Sequence, residues 1–186
     1  MSAVADLKGR ADLKGPIVLV GLMATGKTTV GRSIAVRLHR PFFDSDAMIE
    51  ARTGKTVAEL WRTGGEPAFR SLETEALEAA LDSEPPGVVA AAGGVVLAPA
   101  NRARLRRAAA EGATVVWLRA APALLASRVR PNDHRPLLAD DPAGTLRTMA
   151  EEREALYAEV AQRVVDVEGL SVGQIVSQIV PVVVGS

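Results

Sequence analysis

Cysteine is absent from this chain of 186 residues, which excludes a disulfide framework, thiol catalysis and any cysteine-based zinc site. Its absence is compatible with a reducing cytoplasm, the expected location. Histidine occurs twice, at His39 and His134, and positions so far apart read by default as exposed loop or helix-end residues. Aromatic residues make up only 3% of the chain, so an aromatic near a candidate site stands out. Neither sign of charge is in excess: 22 Lys and Arg face 22 Asp and Glu. No overall field recruits nucleic acid or an anionic membrane, and a partner must be sought in a pocket. Long apolar runs are missing too. The stretch Ile179 to Val184 is interrupted by Pro181 and is far too short to span a bilayer. The segment 1–15 carries Ala-Asp-Leu-Lys-Gly twice, at 5–9 and 11–15, and lacks the apolar centre of a secretory signal. It reads as a flexible tail before a single domain spanning 16–186.

What the chain does hold is Gly21-Leu22-Met23-Ala24-Thr25-Gly26-Lys27-Thr28, which fits the phosphate-binding pattern G-x-x-x-x-G-K-[ST]. Ile17 to Val20 leads into it as an apolar strand, and a helix-prone stretch from Thr29 to Leu38 leads out. In that setting successive backbone N–H groups face an anion at a helix N-terminus. Ala24, Thr25, Gly26, Lys27, Thr28 and Thr29 are therefore the expected residues for binding a nucleotide triphosphate. Lys27 would reach the β- and γ-phosphates, and the Thr28 hydroxyl would hold Mg²⁺.

Apolar runs recur at Ile17 to Val20, Pro41 to Phe43, Val88 to Ala92, Thr114 to Leu118 and Val164 to Val167. Helix-like stretches alternate with them at Thr28 to Leu38, Pro67 to Leu81, Pro99 to Glu111, Ala121 to Arg128 and Pro142 to Ala161. Near-continuous apolar strands in such alternation predict an α/β fold with a parallel sheet covered on both faces. Ligands of such sheets sit at the carboxyl ends of the strands. After the second strand come Asp44-Ser45-Asp46, and after the third come Gly93-Gly94. The polar, proline-bearing segment at about 129–140 has the look of a lid.

Asp44 suits the Mg²⁺ shell and Asp46 suits a substrate hydroxyl; alternatively, Asp46 caps the helix that continues through Ala47 and Asp44 is a solvated loop charge. Gly93 and Gly94 would let backbone approach a ligand, or simply form a turn. Arg70 and Glu73 lie one helical turn apart, so Glu73 could fix the Arg70 guanidinium for capture of a carboxylate, although a surface ion pair has the same spacing. Trp61 and Phe69 flank this segment as pocket wall or as core. Arg128, Arg130 and Arg135 crowd the lid segment, and Arg153 follows on the next helix; such cations suit a transferring phosphoryl group.

Taken in order, these landmarks resemble the shikimate kinases across nearly the full length after the tail. They are Gly-Leu-Met-Ala-Thr-Gly-Lys-Thr-Thr at 21–29, Asp-Ser-Asp at 44–46, Gly-Gly-Glu-Pro-Ala-Phe-Arg at 64–70, Gly-Gly at 93–94 and Arg-Pro-Leu-Leu at 135–138. The resemblance implies a P-loop fold of the nucleoside monophosphate kinase type, with a five-stranded parallel sheet, a substrate-binding region at about 44–75 and a lid. It implies ATP-dependent phosphorylation of the 3-hydroxyl of shikimate on the way to chorismate and the aromatic amino acids. Lys27, Asp46 and Arg135 would be catalytic, and Arg128 would lie against the adenine. Asp46, Trp61, Phe69, Arg70, Glu73, Gly93, Gly94 and Arg153 would bind shikimate, with Arg70 and Arg153 clamping its carboxylate. Thr28 and Asp44 would serve the metal. The expected partners are ATP and shikimate, with no nucleic acid and no membrane, and a monomer is expected.

The family usually has three glycines after the third strand, where this chain has Ala92-Gly93-Gly94, and smaller residues are common where it has Ala24-Thr25. The nucleotide-base end near Val165 to Val172 matches only weakly. Two alternatives compete: a gluconate or other cyclic-polyol kinase of the same fold, and a regulatory module that binds ATP without transferring phosphate.

Overall fold

The computed structural model describes residues 14–129 and 141–180. Five strands, β1 (Ile17–Val20), β2 (Phe42–Asp44), β3 (Val88–Ala90), β4 (Thr114–Arg119) and β5 (Arg163–Asp166), form one parallel sheet in the order β2-β3-β1-β4-β5. The register is continuous through the centre, with Ile17 opposite both Val88 and Thr114. Every side chain of β1 is fully buried, because helices cover both faces. That is why this strand reads as Ile-Val-Leu-Val and not as an apolar-polar alternation.

The period-2 geometry of β1 divides the core. Val18 and Val20 pack with Val89, Val115 and Trp117 in one layer, while Ile17 and Leu19 pack with Val88, Val116 and Leu118 in the other. The first layer is covered by α3 (Val57–Leu81), α4 (Pro99–Ala110), α5 (Pro122–Arg128) and α6 (Pro142–Val160). The second is covered by α1 (Lys27–Leu38) and α7 (Val172–Ile179). Each fully buried Val, Leu or Ile contributes roughly 1.5–3 kcal/mol, so the sheet centre is the most strongly held part of the molecule. A third, smaller cluster of Ile49, Phe69 and Ala76 joins α2 (Ser45–Thr53) to α3 and takes in Trp61.

Several local features differ from the sequence reading, among them β4, which runs on to Arg119, and β5, which lies one residue earlier than expected. Strand β2 is Phe42–Asp44, one residue later than expected, and β3 ends at Ala90. Helix α3 begins at Val57, ten residues before Pro67, because Thr56 and Glu59 form a reciprocal capping box. The chain then kinks at Gly65 (φ 68°, ψ −177°), and Pro67 opens the second segment. Helix α7 was not anticipated; its own capping box, Ser171 with Gln174, starts it.

The strand order places the carboxyl end of β1 between β3 and β4, with later elements leaving in opposite directions. This is the switch point where open parallel sheets bind ligands. The proposed tail falls almost wholly, and the lid wholly apart from Val129, outside the described residues.

Candidate active site

Residues 21–26 connect β1 to α1 around that switch point. A β-carbon on Gly21 would come within 2.4 Å of the Leu118 carbonyl oxygen on β4, and Gly21 has a φ of 142°, so only glycine fits the first turn. The buried Thr25 hydroxyl donates to the Leu22 carbonyl at 2.8 Å. Thr25 therefore braces the loop with its side chain and can serve a phosphate only through its backbone. The Lys27 ammonium donates to the Gly21 and Leu22 carbonyls, both at 2.8 Å. Ala24 adopts a left-handed φ of 64°, a strained conformation of the kind that concentrates at binding loops. Its carbonyl accepts a 3.4 Å hydrogen bond from Arg128 at the end of α5.

At the end of β2 the two aspartates have separate duties. Asp44, not Asp46, caps α2: its Oδ1 accepts from the N–H groups of Asp46 and Ala47 at 3.1 and 3.4 Å. Its other oxygen accepts from the Thr28 hydroxyl at 2.7 Å, joining the start of α1 to the end of β2. Asp46 sits on the first turn of α2 and lines the cavity. The cap falls to Asp44 because its backbone is still extended, with φ −110° and ψ 120°, whereas Asp46 is already helical.

Arg70 is held from several sides. Its guanidinium donates to Glu73 at 2.6 Å and to Glu66 at 2.9 Å, and it lies over the Trp61 ring at 5.4 Å. Glu73 is buried with its side chain only 3% exposed, so this is no solvated surface pair. Burial pushes the Glu73 carboxyl up, an effect that Arg70 partly offsets. Burial also works against the Arg70 charge, but Glu73 and Glu66 outweigh it and the guanidinium holds its proton more firmly. Trp61 and Phe69 contact each other with ring centroids 5.5 Å apart. They are at once part of the small core cluster and part of the cavity wall.

Gly94 shows why a second glycine follows β3. A β-carbon there would stand 1.7 Å from a terminal nitrogen of Arg70, so any side chain would push the guanidinium out of place. Gly93 meets only ordinary contacts at that position, the nearest at 3.5 Å; its carbonyl accepts from Tyr157 at 2.6 Å and from Arg153 at 3.4 Å. Arg153 is itself buried, at 6% exposure.

These groups surround one cavity of about 350 Å³. Its lining joins the phosphate loop and Arg128 to Asp46, Trp61, Phe69, Arg70, Glu73, Gly93, Gly94 and Arg153, with Gly93 adjoining Gly21 and Met23 of the loop. Among the described residues the lining carries four cations, Lys27, Arg70, Arg128 and Arg153, and three carboxylates, Asp44, Asp46 and Glu73, a mixed but net positive lining that suits an anionic ligand. Thr28 and Asp44 present a hydroxyl and a carboxylate side by side. No cluster of three or more His, Cys, Asp or Glu suited to a metal occurs among the described residues. Two hard oxygens suit Mg²⁺, which keeps waters and phosphate oxygens as its other ligands. Arg135 lies outside the described residues. The sequence reading missed Val57 and Met23 in the wall, and Tyr157 behind it. For Tyr157 there was a signal: the chain's single tyrosine stands one helical turn after Arg153.

The comparisons with known proteins agree with this fold. The family model described as shikimate kinase matches residues 23–184. A shikimate kinase of Burkholderia thailandensis is 43% identical over 164 residues, covering 88% of this chain and 86% of that protein. Among solved structures, the shikimate kinase from Acinetobacter baumannii in complex with shikimate superposes with a TM-score of 0.83 at 34% identity, covering 90% of this chain and 92% of that one. A gluconokinase from Sinorhizobium meliloti covers 89% of each chain at 26% identity, but its TM-score is 0.57. The gluconate alternative thus has the weaker structural support, and the family-model match over residues 23–184 together with relatives 43% identical over most of the chain shows that this chain belongs to the shikimate kinase family.

Proposed function

We propose that this protein transfers the γ-phosphoryl group of ATP to the 3-hydroxyl of shikimate, giving shikimate 3-phosphate and ADP. One observation carries the reading: the phosphate loop opens into the same cavity as Asp46 and the two arginines, Arg70 and Arg153. A donor anion and a carboxylate-bearing polyol therefore meet within one enclosure.

In this reading Arg70, held in place by Glu73 and Glu66, clamps the acceptor carboxylate together with Arg153. Asp46 orients the 3-hydroxyl and accepts its proton as the bond to phosphorus forms. Lys27 exchanges its loop carbonyls for the β- and γ-phosphate oxygens, and Arg128 lies against the adenine. Thr28 and Asp44 would hold Mg²⁺, which when bound neutralises charge on the phosphates. Phosphoryl transfer has a loose transition state, so positioning and charge neutralisation carry most of the catalysis and no strong base is needed. Action as a monomer in the cytoplasm belongs to the same proposal. The described residues contain no helix long and apolar enough to cross a membrane.

Purified protein supplied with ATP and Mg²⁺ is expected to turn over shikimate well above quinate or gluconate, measured as ADP release and confirmed by identification of shikimate 3-phosphate. Equal or better use of gluconate would move the assignment to the other acceptor. ATP binding with no turnover of any acid would favour the regulatory module.

A further inference from the structure

Tyr157 has no part in the chemistry above, yet among the described residues it is the largest fully buried side chain, at 1% exposure. Its ring stacks on Trp117 of β4, with centroids 5.7 Å apart and planes 26° apart. It is packed within the core layer formed by α3 to α6. Burial pushes its hydroxyl above the usual tyrosine range, with Arg153 only partly opposing, so the group stays a neutral donor at every working pH. That donor is spent on one acceptor, the Gly93 carbonyl, at 2.6 Å.

Arg153 reaches the same carbonyl from one turn earlier on α6, but at 3.4 Å, the long edge of a hydrogen bond. Its Nε is buried and has no hydrogen-bond partner among the described residues. Arg153 is thus held by this long bond and by its interaction with the Tyr157 hydroxyl, with its Nε donor unspent. The short bond from Tyr157 is what holds Gly93, whose carbonyl accepts from both side chains at once.

Building on the reading of this cavity as a shikimate site, we propose that Tyr157 is a positioning residue: its hydroxyl pins the Gly93 carbonyl, and so sets where the Gly93 backbone and the Arg153 guanidinium meet the acceptor. It touches neither reactant. Its effect should fall mainly on the acceptor, through Arg153, although Gly93 also adjoins the phosphate loop at Gly21 and Met23.

The test is Tyr157→Phe, which keeps the ring on Trp117 and removes only the hydroxyl. The KM for shikimate is expected to rise roughly three- to tenfold, the worth of one buried hydrogen bond. The KM for MgATP should stay at the parent value, and the melting temperature should fall by no more than about 4 °C. In an Arg153→Lys background, which removes the guanidinium fork but keeps the charge, the same change should have little further effect on the shikimate KM, since the two side chains act through one carbonyl. Tyr157→Leu, which loses the stacking as well, should be clearly less stable. Phenylalanine should then restore the melting temperature but not the shikimate KM. An unchanged shikimate KM in Tyr157→Phe, equal rises for both substrates, or full additivity with Arg153→Lys would overturn the proposal. So would a Tyr157→Phe protein that does not fold, which would mark the hydroxyl as a folding contact. Failure of the parent enzyme to use shikimate would instead overturn the underlying reading, so the two failures are distinguishable.

Discussion

Arg70 and Asp46 line one cavity, but their surroundings assign them different work. Arg70 is braced by two carboxylates and an aromatic face, which suits a fixed binding fork. Asp46 sits on the first turn of a helix whose cap is supplied by Asp44. Arg70→Ala should therefore raise the shikimate KM by tens-fold, the usual worth of a charged hydrogen-bond pair, with a smaller change in kcat. Asp46→Asn should lower kcat even at saturating shikimate. Steady-state kinetics with each substrate varied separates the two; a large kcat loss at unchanged shikimate affinity in Arg70→Ala would show the clamp to be misassigned.

Glu73 makes a prediction about pH. Burial raises its carboxyl in the folded protein above the unfolded value, so the folded state takes up the proton first. The associated stabilisation is fully present below the unfolded value, near 4.3 for a typical Glu, and is lost as pH rises through the raised folded value. Glu73→Gln cannot titrate. Thermal melts of both proteins from pH 7.5 down to about 4.5 should show the difference shifting in favour of the parent as pH falls. A difference independent of pH would mean that Arg70 cancels the burial effect completely.

Among the elements, α7 shows how a short helix is held by its ends and one face. It has only eight residues, too few to be stable alone. Ile175, Val176 and Ile179 bury against the layer that contains Ile17, Leu19, Val30 and Ile34, and the Ser171–Gln174 box satisfies its first turn. Ser171→Ala should cost about 1 kcal/mol, lowering the melting temperature by about 2–4 °C in a protein of this size. Calorimetry or circular dichroism would measure it. Helix α3 teaches the complementary lesson. Gly64-Gly65-Glu66-Pro67 predicts a break, and the break is real: the left-handed Gly65 ends the segment begun at Val57, and Pro67 opens a second helical segment as expected. The kink separates Trp61 on the first segment from Phe69 and Arg70 on the second, and it lets both segments face one cavity.

For the molecule as a whole, ligand binding and stability are linked. A nucleotide that binds only the folded state at a hundred times its Kd adds about 2.7 kcal/mol, or roughly 5–10 °C in melting temperature. Saturating MgADP should therefore stabilise the parent, and Lys27→Ala should remove most of that shift. Retention of the full shift in Lys27→Ala would mean that the nucleotide binds away from the phosphate loop.

The phosphate loop and the five strands were legible because their information is local. Eight consecutive residues encode the loop, and the strands are runs of only three to six residues. The identity of the α2 cap was not legible, since Asp44 and Asp46 are equally good capping residues and the choice depends on where the extended backbone of β2 ends. The place of Gly94 against Arg70, and of Tyr157 behind Gly93, was still less accessible. These pairs stand 24 and 64 positions apart, and no local pattern relates them. They meet because the strand order β2-β3-β1-β4-β5 brings the ends of β1, β2 and β3 to one edge of the sheet, with α3 and α6 packed over the same face. The chain alone thus settled which chemistry was present, since backbone conformation and burial period follow from short-range sterics. Which side chains share a cavity, and which ones hold them there, was settled by the packing of elements distant in sequence.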